Sequence, residues 1–286
     1  MKPKPDLQHS ITRAADLIRQ ADGLLITAGA GMGVDSGLPD FRGASGFWQV
    51  YPPLRRQRLS FREMATPDML RRRSTLAWGF YGHRLNLYRA TVPHAGFALL
   101  RHWASRMLGG CFVNTSNVDG QFQKAGFDAA LICEVHGSLH HLQCMRPCSE
   151  NVWPADDFSP QVDEAECRLV NELPRCPRCG DMARPNVLMF NDGSWNDAIA
   201  QQQIHARSTW LASVRRPVVV EVGAGTAIQT VRVLGEEVCR NHGGHMVRIN
   251  PREARISPRY GVGLALGGLE ALRGITQALG PEWTAA

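Results

Sequence analysis

Two stretches of this chain place glycines immediately after an apolar run, which is where backbone must turn sharply and lie open to a ligand. Gly23-Leu-Leu-Ile-Thr-Ala28 reads as a short buried strand, and Gly29, Gly31 and Gly33 follow it at once. A turn of this kind brings backbone N–H groups close to a pyrophosphate, and side chains there would block the approach. Taken alone it is equally a tight strand-to-helix connection. The ordinary dinucleotide fingerprint also places an acidic residue roughly 20 positions further on to hold the adenine ribose. That region here is Gly46-Phe-Trp-Gln-Val-Tyr-Pro-Pro, which has no carboxylate. The half-site is not that of a standard dehydrogenase.

Four more apolar runs end in polar residues or turns. Cys111-Phe-Val-Asn-Thr115 leads into Asn117 and Asp119, and Leu131-Ile-Cys-Glu-Val135 leads into His136. Pro217-Val-Val-Val-Glu-Val222 leads into the second glycine turn, Gly223-Ala-Gly225-Thr226, and His245-Met-Val-Arg-Ile249 leads into Asn250. In an open parallel sheet, ligands sit outside the carboxyl ends of the strands, so these residues are expected to converge on one crevice. An imidazole there has the proton affinity of a general base near neutral pH. Each residue alone is as readily a turn former or a structural histidine.

Eight cysteines are present, and four are paired in sequence: Cys144 with Cys148, and Cys176 with Cys179. Two close thiol pairs separated by a loop predict a tetrahedral structural zinc site, and a three-residue gap in the first pair falls within the usual ligand spacing. Disulfides are the rival. The start Met1-Lys-Pro-Lys-Pro-Asp is polar and has no apolar signal stretch, which points to a reducing cytoplasm. Cys111 and Cys133 fall in apolar strands and read as core, Cys239 falls in a helix-like stretch, and Cys167 is the substitute ligand should the pairing differ.

Taken in order, these segments resemble the sirtuins, the NAD-dependent protein lysine deacylases. The resemblance spans roughly residues 14 to 275 and is carried by Gly29-Ala-Gly31, Ser36-Gly-Leu-Pro-Asp-Phe-Arg42, Thr115-Ser-Asn-Val-Asp-Gly120, His136-Gly137, Gly225-Thr226 and Ile249-Asn250. It implies that Gly29, Ala30, Gly31, Asp40, Phe41 and Arg42 form the cofactor loop. Ser116, Asn117 and Asp119 would line the nicotinamide-ribose pocket, with Asn117 and Asp119 catalytic beside the general base His136. Gly225, Thr226 and Asn250 would meet the phosphate and adenosine side. The implied reaction consumes NAD and releases nicotinamide, free lysine and O-acyl-ADP-ribose. Val187 and Phe190 fall on the family's substrate-binding strand. There the usual Phe-Gly-Glu is replaced by Phe190-Asn191-Asp192, the serine after Gly-Thr is Ala227, and the glutamine before Asn117 is Ser116.

Trp78-Gly-Phe-Tyr81-Gly-His-Arg84 sets a phenol and a guanidinium three residues apart, on one face of a helix. An arginine fork grips a carboxylate with two bonds and the phenol can supply a third. The bland alternative is an amphipathic helix whose Tyr and Arg cap the edge of the core. The pattern is similar to the Tyr-x-x-Arg of class III sirtuins, which implies recognition of acidic acyl groups such as succinyl and malonyl. Two rival functions share the cofactor site: an ADP-ribosyltransferase or NAD hydrolase, and a non-catalytic NAD sensor.

These residues need a sheet to hold them. The chain has 286 residues, 44% of them hydrophobic, which is enough for one large core and a small accessory module. The expected fold is α/β: a Rossmann-like parallel sheet domain with a smaller inserted zinc-binding and helical module. The large domain is assigned to 8–50, 91–137 and 191–286, with a helical insertion over 51–90 and a zinc-binding insertion over 138–190. Helix is expected over about 8–22 and over most of 58–108. No run approaches a membrane span. The net charge is +6, with Arg55, Arg56, Arg58, Arg62, Arg71, Arg72 and Arg73 clustered and five acidic residues between Ala155 and Glu166. The basic cluster reads as a solvated face rather than a nucleic-acid site. The implied partner is an acyl-lysine protein or peptide substrate.

Overall fold

A computed structural model of the chain describes residues 7–40 and 43–284. Its strands, in chain order, are β1 (Gly23–Ala28), β2 (Cys111–Thr115), β3 (Ile132–Glu134), β4 (Gly137–Cys144), β5 (Val152–Pro154), β6 (Val162–Asp163), β7 (Arg168–Leu169), β8 (Ala183–Val187), β9 (Pro217–Val222), β10 (His245–Ile249) and β11 (Gly261–Leu264). Six of them form one sheet in the order β11-β10-β9-β1-β2-β3, and every neighbouring pair is parallel. The chain fills the sheet outward from β1 on one side and then returns to β9 to fill the other. The strand order therefore reverses between β1 and β9, and a crevice opens there at the carboxyl ends.

The helices are α1 (Leu7–Arg19), α2 (Gly43–Val50), α3 (Pro52–Arg56), α4 (Phe61–Met64), α5 (Pro67–Arg72), α6 (Ser74–Ala90), α7 (Ala95–Ser105), α8 (Gln121–Lys124), α9 (Ala198–Ser213), α10 (Thr230–Asn241) and α11 (Gly268–Leu279). The strands of the large sheet read as continuous apolar runs because both of their faces are covered. Successive side chains alternate between two cores, as a pleated strand requires. Leu24, Ile26, Val113, Val218 and Val220 pack with residues of α1, α7 and α11, while Leu25, Phe112, Val219 and Met246 pack with residues of α9 and α10.

A third core belongs to the segments between these elements. It joins α2 to α6 with the antiparallel sheet β5-β4-β8 and the hairpin β6-β7. The long helix α6 is buried on more than one side: Trp78, Phe80 and Tyr81 lie within it at 1% exposure or less. The hairpin presses on α6 so closely that a Cβ on Gly79 would stand 2.1 Å from the carbonyl oxygen of Cys167. Cys167 is thus packed against α6, in the same core. The expected helical stretch over 58–108 is four separate helices, broken before Pro67, at Arg73, whose backbone is non-helical (φ −138°, ψ 54°), and around Pro93.

Candidate active site at the carboxyl edge of the sheet

Register brings the strand ends level. Ala28 pairs with Thr115 on one side and Val222 on the other, Thr115 pairs with Glu134, and Val222 pairs with Ile249. The residues that follow each strand, Gly29, Ser116, Val135, Gly223 and Asn250, consequently leave the sheet along a single edge. The two glycine turns pack on each other there. Gly29 N–H donates to Val222 O (3.0 Å) and Gly31 N–H to Gly223 O (3.1 Å). A Cβ on Gly31 would come within 2.6 Å of Gly223 Cα, so turn-on-turn packing demands this glycine before any ligand does.

Asn117 is held against the first turn: its Nδ2 donates to Gly29 O at 3.0 Å, and its N–H donates to Thr115 Oγ1 at 3.0 Å. Ser116 N–H donates to Ala28 O (3.0 Å). Asp119 is buried, and its Oδ1 accepts the N–H of Gln121 at the start of α8 (3.0 Å). Burial pushes its carboxyl up to about 6, against the opposing pull of that hydrogen bond and of the Arg84 charge. His136 is half-buried, with Nε2 lying 3.4 Å from Thr230 Oγ1 at the start of α10. Burial lowers its pKa below the ordinary histidine value, although a ring hydrogen bond to the Ser116 backbone works the other way. The imidazole is therefore neutral at pH 7 and able to accept a proton. Below it, at the end of β3, the buried Glu134 is pushed up to about 8 by burial and by the neighbouring Asp119. Thr230 and Glu134 were not among the sequence candidates.

The second glycine turn is anchored by another unanticipated residue. Glu253 accepts the Thr226 N–H at 3.0 Å, and its other carboxylate oxygen accepts the Thr226 hydroxyl. Asn250 is buried and spent on structure: Oδ1 accepts the N–H groups of Arg252 (3.0 Å) and Glu253 (2.9 Å), while Nδ2 donates to Ala224 O (2.9 Å). Arg252 reaches Asp40 Oδ2 at 3.5 Å, so the same short loop touches both the cofactor loop and the second turn. Ala30 opens the 3₁₀ turn that follows Gly29, and Gly225 lies between Ala224 and Thr226. Phe41 and Arg42 lie outside the described residues.

Tyr81 and Arg84 are both interior, at 1% and 8% exposure. The Tyr81 hydroxyl has no hydrogen-bond partner among the described residues, and burial raises its pKa to about 12. A buried hydroxyl in that state is costly unless something arrives to satisfy it. The Arg84 guanidinium lies over the rings of Phe80 (5.2 Å), Tyr88 (5.5 Å) and Phe61 (5.8 Å), and donates from Nε and Nη2 to the Tyr88 hydroxyl at 3.0 and 2.7 Å.

Val187 closes β8 opposite Gly137, and the next residue ties that strand to the imidazole segment, Leu188 N–H donating to His136 O at 2.9 Å. Phe190 N–H donates to Ala65 O (2.9 Å), with its ring edge-on to Phe61 and beneath the Arg62 guanidinium at 4.9 Å. The residues after Phe190 explain the altered motif. Asn191 is left-handed (φ 54°), a conformation that suits glycine best and asparagine next. Asp192 and Arg184 form a fully buried bidentate pair, and Asp192 also accepts the N–H groups of Met189 (3.2 Å) and Ser194 (3.1 Å). These contacts fix the turn in this chain.

The four paired cysteines meet. Their sulfurs all lie within 4.8 Å of one another, with Cys144 Sγ 3.6 Å from Cys179 Sγ and Cys148 Sγ 3.6 Å from Cys176 Sγ. None is in a disulfide. Zinc–sulfur bonds of about 2.3 Å in a tetrahedron set the sulfurs roughly 3.8 Å apart, so the cluster fits zinc. Cys167 takes no part in this group, and Cys111, Cys133 and Cys239 are distributed between the sheet and α10.

The Sir2 family matches residues 29–211. The NAD-dependent protein deacylase of Pyrococcus abyssi is 28% identical over 249 residues, covering 87% of this chain and 89% of its own length. The NAD-dependent protein deacylase of Aeropyrum pernix is 26% identical over 273 residues, covering 95% and 98%. Among solved structures, one described under the mechanism and regulation of Sir2 enzymes superposes with a TM-score of 0.70 at 22% identity, covering 95% of this chain and 98% of that one. A Sir2 homolog–NAD complex superposes with a TM-score of 0.68 at 22% identity, covering 93% and 94%. The architecture is shared throughout. Among the described residues no helix is long and apolar enough to cross a membrane.

Proposed function

Because the chain belongs to the Sir2 family, we propose that it is an NAD-dependent protein lysine deacylase and that the sheet edge is its active site. The observation that carries this reading is the placement of the His136 imidazole, its Nε2 3.4 Å from Thr230 Oγ1, on the same sheet edge as Asn117 and both glycine turns. NAD supplies a ribose carbon that becomes electrophilic as nicotinamide departs. His136 takes the proton of a ribose hydroxyl, which frees that oxygen to accept the acyl group from lysine. Asn117, fixed by Gly29, orients the ribose, and Asp119 holds the nicotinamide end. Water completes the balance: acyl-lysine, NAD and water give lysine, nicotinamide and O-acyl-ADP-ribose.

The cofactor rests on Gly29, Ala30, Gly31, Asp40, Phe41 and Arg42 at one end and on Gly225, Thr226 and Asn250 at the other. Asn250 acts through the loop it organises, since both ends of its amide are already bonded. The acyl-lysine peptide lies along Val187 and Phe190. Its acyl tail enters the small module toward Tyr81 and Arg84, where a terminal carboxylate would satisfy the Tyr81 hydroxyl and meet the guanidinium. Cys144, Cys148, Cys176 and Cys179 hold a structural zinc that staples residues 138–190, and the helical segment 51–90 completes the small domain. The enzyme works in the cytoplasm and needs no nucleic acid.

The test is mass spectrometry of matched acetyl- and succinyl-lysine peptides incubated with NAD, for wild type, Tyr81→Phe and Arg84→Met. Release of O-acyl-ADP-ribose is expected. Its absence, with ADP-ribose transferred to protein instead, would replace the deacylase by a transferase.

A further inference from the structure

We propose that Tyr88 is a positioning residue that fixes Arg84 for recognition of an acidic acyl group, and so sets the acyl preference of the enzyme. The inference rests on the acidic-acyl reading of Tyr81 and Arg84. Tyr88 follows Arg84 by four residues on α6, one turn along the same face. A single phenol oxygen accepts from both Nε (3.0 Å) and Nη2 (2.7 Å), so one whole edge of the guanidinium is held and its plane cannot swing. The rings of Phe80, Phe61 and Tyr88 pack around it.

Tyr88 is itself interior and tied through its backbone. It is 5% exposed, and its carbonyl accepts Gln121 Nε2 at 3.1 Å, while the Gln121 N–H is bonded to Asp119 Oδ1. The acyl pocket and the loop assigned to the nicotinamide ribose are thereby braced on the same residue. The chemistry of the brace matters. An aspartate or glutamate at this position would pair with Arg84 permanently and compete with a ligand's carboxylate. A phenol fixes the same two donors without itself neutralising the charge. Arg84 thus gives up its rotamer freedom before substrate arrives, and less of the binding free energy is lost to ordering it.

The experiment measures KM and kcat on acetyl- and succinyl-lysine peptides of one sequence, for wild type, Tyr88→Phe, Tyr88→Glu and Arg84→Met, each checked by thermal unfolding. Tyr88→Phe keeps the ring and removes only the acceptor. The ratio of KM for succinyl to KM for acetyl is expected to rise on the order of tenfold, the effect of about one lost hydrogen bond, with the corresponding kcat ratio steady. Tyr88→Glu should move the KM ratio the same way by neutralising the guanidinium, and it serves as the second test should the Phe variant unfold. An unchanged or lowered KM ratio, or equal losses on both peptides, overturns the proposal. If Arg84→Met abolishes succinyl preference and the Tyr88 variants do not alter it, Tyr88 alone is misassigned. If Arg84→Met leaves the preference intact, the acidic-acyl reading itself fails.

Discussion

Glu253 and Thr226 are joined across 27 residues by two hydrogen bonds from the second glycine turn to one carboxylate. Glu253 stands just past the end of β10, in the unit β9-α10-β10, and its carboxylate holds the second glycine turn. Its loss removes the anchor of the turn. Glu253→Ala is therefore expected to weaken NAD binding by at least about tenfold, the scale of one charge-assisted hydrogen bond. Isothermal titration with NAD measures this, and equal or tighter binding speaks against the assignment.

The imidazole of His136 sets the acidic limb of the pH profile. Burial lowers its pKa below the ordinary histidine value of about 6.5, so the acidic limb of the activity profile should lie on the acid side of that value. His136→Ala should cut deacylation by about 10²- to 10⁴-fold without altering the thermal midpoint much. A variant that retains its rate while folded would remove His136 from the reaction.

The buried pair of Arg184 and Asp192 makes a stability prediction. Both side chains are 0% exposed, so Asp192→Ala strands a guanidinium in the interior at a cost of about 3 to 5 kcal/mol. Burial alone would raise the Asp192 pKa, but the hydrogen bonds and charge of Arg184 outweigh it and hold the carboxyl below its usual range. A lowered folded-state pKa gives stabilisation that is complete above the unfolded value, near 3.9, and lost as pH falls through the folded one. Urea unfolding of wild type and Asp192→Ala at pH 7 should differ by this amount, and the difference should shrink below about pH 4. A difference that is flat across this range would mean that the pair contributes packing only.

Much of this arrangement could be read from residue order because parallel strands covered on both faces are written as plain apolar runs. Leu24 to Ile26 and Val218 to Val220 needed no partner to be recognised, and the rule that ligands gather at carboxyl ends then grouped Asn117, His136 and Thr226. What escaped depends on contacts distant in sequence. A carboxylate was sought after the first glycine turn, whereas Glu253, which anchors the second turn, lies beyond it. Tyr88 reads as one more apolar helix position until Arg84 is seen to be interior. Asn191 and Asp192 look like departures from a motif, and only the structure shows that one takes a left-handed backbone and the other a buried ion pair with Arg184.

The cysteine cluster should carry one metal role and no other. Cys144, Cys148, Cys176 and Cys179 tie the end of β4 to the turn before β8. Purified protein should contain zinc near one equivalent by atomic emission. Cys176→Ser should lower both the zinc content and the thermal midpoint, because binding a structural metal contributes directly to folding free energy. Cys167→Ser, whose sulfur lies in the core beneath α6, should keep its full zinc content. A chelator should reproduce the Cys176→Ser phenotype in wild type, with unfolding of the small domain preceding loss of the parallel sheet. If zinc is retained by Cys176→Ser and lost by Cys167→Ser, the ligand set has been misassigned and the odd cysteine has taken a place in it.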